Sequence, residues 1–132
     1  MTDLFTASYR AFVPAWGQPV VTSLGLPRWR PEAADWPRCW LVTPTWALFH
    51  ASPEEFERGY AERLDRFGAR KISRVLERFA REHHADRLVL LCHELDGTQC
   101  HRADLATWFL TRTGEVVTEL GHATKSGQAA RR

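Results

Sequence analysis

Long apolar runs are missing from this chain. None approaches the ~20 residues of a membrane span, and the opening MTDLFTASYR has neither the basic start nor the apolar stretch of a secretory signal. No membrane partner is expected, and the reading is of a cytoplasmic protein. Cysteine is scarce: three residues, an odd number, without the dense pairing of a small secreted scaffold, so they read as reduced thiols. Lysine is nearly absent, since 16 of the 18 basic residues are Arg. Codon bias in a GC-rich genome accounts for much of that, while the functional reading is that Arg suits bidentate recognition of phosphate or carboxylate. The net charge of +2 is too small by itself to argue for nucleic acid. There is no internal repeat, and no proline after Pro53.

What remains is an ordinary globular composition, 44% hydrophobic and 26% charged over 132 residues. It predicts one domain over residues 1–122 and a frayed tail over 123–132. All seven prolines and five of the six tryptophans fall between Pro14 and Pro53. This arm is too proline-rich for a regular helix and too aromatic for a disordered linker. It is expected to drape over one face of the domain.

Strands are predicted at Leu4–Ser8, Val20–Leu24, Leu88–Leu91 and Glu115–Leu120, with a further short one within Trp40–Phe49. Leu88–Leu91 is a continuous apolar run, as in a strand covered on both faces. Ser52-Pro53-Glu54-Glu55 reads as a capping box with Pro at the first helical position. Phe56, Tyr60, Leu64 and Phe67 then recur at helical spacing, and Gly68 closes that helix. A second helix spans roughly Ala69–His84 with Ile72, Val75, Leu76 and Phe79 inward; its arginine-bearing face reads as solvated. The fold class that follows is α/β, a small three-layer domain with a mostly parallel sheet and an irregular Pro/Trp-rich arm.

Chemistry concentrates in Arg87–Phe109, RLVLLCHELDGTQCHRADLATWF. A strand, a turn and a helix place Cys100, His101 and Arg102 in the first helical turn, where backbone N–H groups and the dipole favour an anion. Cys92 lines the site from the carboxyl end of its strand, where open α/β sheets bind ligands. In a parallel sheet the loops at Tyr9-Arg10, Arg28-Trp29-Arg30 and Cys92–Arg102 meet at one edge. Arg102, His101, Arg28 and Arg30 are the anion-binding candidates, and Trp29 and Tyr9 the stacking candidates.

Cys100 beside Arg102 is a candidate nucleophile, against the alternative of a small residue packing a tight turn. Glu94 is a candidate general base, although acidic residues here also serve turn chemistry, as in Asp96-Gly97. Cys92, His93, Cys100 and His101 together supply enough ligands for tetrahedral zinc, but without a CxxC hairpin; no metal or other cofactor is assigned.

These same residues resemble the family catalogued as domain of unknown function 488. The resemblance rests on VLLCHELDGTQCHRADLATWF, with support from FTASYR, SLGLPRW and the helix carrying Glu55-Phe56, Tyr60 and Leu64. It implies a small α/β protein of bacterial or phage origin. It carries over Cys92, Glu94, Cys100, His101 and Arg102 as signature positions, with Arg28 matching less closely, and it supplies no reaction. The leading expectation is a phosphate-bearing ligand, a nucleotide or nucleic acid, at the carboxyl edge of the sheet, with thiol or carboxylate chemistry. The alternatives are a non-catalytic protein- or nucleic-acid-interaction module and a small zinc-binding domain.

Overall fold

A computed structural model describes residues 2–93 and 101–121. Four parallel strands, β1 (Asp3–Ser8), β2 (Gln18–Val21), β3 (Arg87–Cys92) and β4 (Thr118–Glu119), lie in the order β2-β3-β1-β4. The helices are α1 (Trp46–Phe49), α2 (Pro53–Phe67), α3 (Ala69–Glu82) and α4 (His101–Thr113). The fold is the α/β class read from the sequence. Among the described residues no helix is long and apolar enough to cross a membrane, and the tail at 123–132 lies outside them.

β3 is central because its sequence leaves it no other place: Leu88, Val89, Leu90 and Leu91 are all fully buried. The pleat sends Leu88 and Leu90 into one core with Leu4, Val20, Tyr60, Leu64, Ile72, Leu76, Leu105 and Phe109, the helix side. Val89 and Leu91 pack on the other face with Ala7, Phe12 and Val21, covered by Trp16 and Trp36. Helices, sheet and arm are the three layers.

The arm does not stay on one face, as expected, but wraps the β2 edge. Phe12, Trp16 and Trp36 cover one face, while Cys39 and Val42 are buried in the helix-side core. Between them the chain pairs with the outer edge of β2: Val21 N–H donates to the Pro37 carbonyl (2.8 Å), and Cys39 N–H donates to the Val21 carbonyl (3.0 Å). This closes an edge that would otherwise offer unpaired backbone groups. Pro19 lies inside β2, paired with Val89 of β3, rather than bounding a strand at Val20–Leu24. Residues 19 and 21 face the same outer side, so the missing N–H of Pro19 costs the inner ladder nothing.

The strand expected within Trp40–Phe49 is replaced by a 3-10 turn at Trp40–Val42 and by α1, whose N-cap Thr45 accepts from Leu48 N–H (3.2 Å). The final strand shortens from Glu115–Leu120 to Thr118–Glu119. The capping box forms as read: the Ser52 hydroxyl accepts from Glu55 N–H and the Glu55 carboxylate from Ser52 N–H, both at 3.2 Å. Gly68, at φ 92°, ends α2 and at once caps α3.

Candidate functional site at the carboxyl edge

All strands being parallel, the ends of β1, β2 and β3 share one edge, and the ladder continues past them. Tyr9 N–H donates to the Cys92 carbonyl and Thr22 N–H to the Leu91 carbonyl, each at 3.0 Å. Side chains then lock the loops together. The Ser23 hydroxyl donates to the Gly25 carbonyl (2.6 Å), so at the 2.7 Å contact between Tyr9 and Ser23 the phenol is the donor. His93 Nε2 reaches the same Gly25 carbonyl at 3.0 Å and must carry its proton there. The Tyr9 and His93 rings meet edge to face, 4.9 Å apart. Burial, the largest cause, pushes the Tyr9 phenol up to about 12, so it stays neutral.

A cavity of about 260 Å³ opens on the helix side of this edge. Its polar floor is Ser23, Cys92, His93 and His101. Its apolar wall is built around α1 by Pro44, Trp46 and Phe49. The Trp46 and Phe49 rings stack 5.7 Å apart at 14° and are 64% and 58% exposed, so the wall faces solvent as well as the cavity. At the far side, buried His101 approaches Thr22 Oγ1 at 3.3 Å and lies edge-on to the Tyr60 ring. The Thr22 hydroxyl donates to the Leu91 carbonyl (2.8 Å), which leaves its oxygen to accept from His101 Nε2.

Arg102 is not laid out toward solvent as an anion clamp. Its side chain is 2% exposed, with Nε donating to Glu119 Oε1 (3.1 Å) and Nη1 to Cys92 Sγ (3.0 Å). Glu119 Oε1 also accepts from the Thr6 hydroxyl at 2.6 Å. Arg30 is likewise engaged: Nη1 donates to the carbonyls of Tyr9 and Phe12, and Nε to Glu32. It therefore ties the β1 loop to the β2 loop. Arg28 and Trp29 are exposed, and the Arg10 guanidinium lies 5.8 Å from the Trp29 ring centre. The Tyr9-Arg10 and Arg28–Arg30 loops thus come together, while Arg102 sits below them against β4. Cys100 and Glu94 lie outside the described residues. Of the zinc candidates, His93 and His101 turn their Nε2 atoms to Gly25 and Thr22, and Cys92 receives the Arg102 N–H.

Phe49, Ser23 and Glu119 escape the sequence reading, and Trp46 stands in it only as one of five arm tryptophans able to stack on a base. Trp46 and Phe49 carried an i, i+3 aromatic signal after the Thr45 cap, lost in a proline-rich arm. Ser23 had no signal of its own. Glu119 had one: a buried Arg requires a carboxylate, but the chain offers 16 acidic residues without indicating which.

The family model Domain of unknown function DUF488 matches residues 42–109, from the arm through α1–α3 and β3 into α4. No curated protein and no solved structure matches the chain.

Proposed function

The chain belongs to the DUF488 family, and on that premise we propose that the domain binds a small phosphate-bearing ligand of the nucleotide class at the carboxyl edge of its sheet. The observation that carries this reading is the cavity itself: the stacked rings of Trp46 and Phe49 line it together with Ser23, Cys92, His93 and His101. A heterocycle has two apolar faces and a hydrogen-bonding edge, which is the chemistry such a wall and floor select. A volume near 260 Å³ suits a single base rather than a long chain. The phosphate would run out over the β2 loop toward the exposed Arg28 and Arg10, whose guanidinium groups suit phosphate oxygens.

Thermal-shift and tryptophan-fluorescence titrations with adenosine, adenosine monophosphate and inorganic phosphate test this reading. The monophosphate is expected to raise the melting temperature most, because a ligand that binds only the native state stabilises it. Trp46→Ala should weaken that ligand by roughly 5- to 150-fold, the equivalent of ~1–3 kcal/mol of stacking. Arg28→Ala should erase the advantage of the monophosphate over the nucleoside. If neither nucleoside nor nucleotide changes the melting temperature or the fluorescence, the reading is wrong.

A further inference from the structure

We propose that Cys92 is the nucleophile of this cavity, held as a thiolate by Arg102 and placed to form a covalent bond with an electrophilic carbon of the bound ligand. The proposal deepens the binding reading above and rests on it for the ligand, while its chemistry stands on separate observations.

Cys92, 1% exposed, ends the central strand and is one of the residues that line the cavity. The helix-side pleat that carries Leu88 and Leu90 also carries Cys92, so Sγ points at α4 rather than at the arm. There Arg102 Nη1 donates to Sγ at 3.0 Å. A neutral thiol is a weak acceptor, whereas a thiolate accepts a charge-assisted hydrogen bond, so a guanidinium N–H aimed at sulfur favours the ionised form. The guanidinium is not adventitious in that position. Its Nε is fixed by Glu119 Oε1, which the Thr6 hydroxyl holds in turn, so β1 and β4 together orient α4's arginine toward the end of β3. Arg102 is accordingly a positioning residue.

Among the described residues, the groups around the sulfur include Arg102 and His101 on α4, His93 beside it, Tyr9 after β1, Tyr60 on α2, and Glu119 behind Arg102. Both phenols are raised by burial and remain neutral at physiological pH, so neither adds a negative charge against the thiolate. In the step, the Sγ electron pair attacks the electrophilic carbon and an S–C bond forms. The bond from that carbon to the leaving group breaks, and the leaving group departs with the bonding pair, protonated by water at the exposed His93 rim.

Iodoacetamide is the probe: it forms the same kind of S–C bond and releases iodide. The protein carries Cys100→Ser, so that a modified peptide reports Cys92, and Cys39 serves as an internal reference because burial pushes its thiol up. The alkylation rate of Cys92 should already be flat above about pH 7, where a free thiol of pKa ~8.5 is only a few per cent ionised. Arg102→Met should move the profile upward and slow the reaction at neutral pH about tenfold or more, and Arg102→Lys should restore part of the loss. Should Arg102→Met fail to fold, thiolate ultraviolet absorbance during a pH titration of the Cys100→Ser protein decides the same point. A rate rising tenfold per pH unit through pH 8, or no modification of the folded protein at any pH, overturns the proposal. The two readings fail separately. Nucleotide binding with a free-thiol profile removes only the nucleophile, and a low-titrating Cys92 without nucleotide binding removes only the ligand class.

Discussion

Replacing Arg102 with Met keeps the volume of the side chain and deletes its charge, at a position where the guanidinium is 2% exposed and makes contacts of 3.1 Å to Glu119 and 3.0 Å to Cys92. Breaking a fully buried ion pair from one end costs ~3–5 kcal/mol. Glu119 is 30% exposed and keeps the Thr6 hydrogen bond, so water recovers part of that, and the expected loss is about 2–3 kcal/mol. A domain of this size with ~5–15 kcal/mol of stability should remain folded. Glu119→Gln leaves the buried guanidinium facing a neutral amide and should cost about 1–3 kcal/mol. The double variant should lose less than the two single losses combined, with a coupling of about 1–2 kcal/mol. Urea unfolding at constant m-value measures all four corners of the cycle. A loss below about 0.5 kcal/mol for Arg102→Met, together with additivity in the double variant, would mean that Arg102 and Glu119 do not form a pair that holds α4 to β4.

Other consequences are local. Burial, then the nearby Glu57, raises the Asp104 carboxyl above its usual value, so the native state holds that proton more tightly than the unfolded chain. Stability therefore falls as pH rises from the ordinary aspartate value of 3.8 through the raised one, and the deficit persists above it. Asp104→Asn should gain on wild type across that window in pH-dependent melts, and a difference independent of pH would refute the cause. Gly17→Ala should cost about 2 kcal/mol or more by urea unfolding: φ is 142°, and a Cβ would stand 2.8 Å from the Arg87 carbonyl oxygen. Ser52→Ala removes half of the capping box and should cost ~1 kcal/mol, roughly 4 °C in melting temperature; an unchanged melt would show that α2 is held by packing alone.

The parts of the fold legible in the sequence were those set by neighbours along the chain. Ser52 and Glu55 cap a helix because they are three residues apart on it, and Gly68 stops it because glycine reaches φ 92° without strain. Leu88–Leu91 signalled a strand buried on both faces by having no polar side, and that alone put β3 inside the sheet. The edge where a site would lie followed from the same pattern, because strands alternating with helices run parallel and gather their carboxyl ends.

Partnership across the sheet was decided elsewhere. Pro19 sits in β2 because Gln18–Val21 pair with Leu88–Leu91 and its missing N–H falls on the outer side, a pairing no local propensity encodes. Trp46 and Phe49 became a cavity wall once α1, packed on α2, came to stand across from the residues at the ends of β2 and β3, and Arg102 turned inward because Glu119, seventeen residues away, came to stand beside it. An arginine at a helix start reads the same in one dimension whether it meets a ligand's phosphate or the protein's own carboxylate. A buried charge takes its role from whichever opposite charge the tertiary fold brings within hydrogen-bond reach, and strand order, not spacing along the chain, sets that distance.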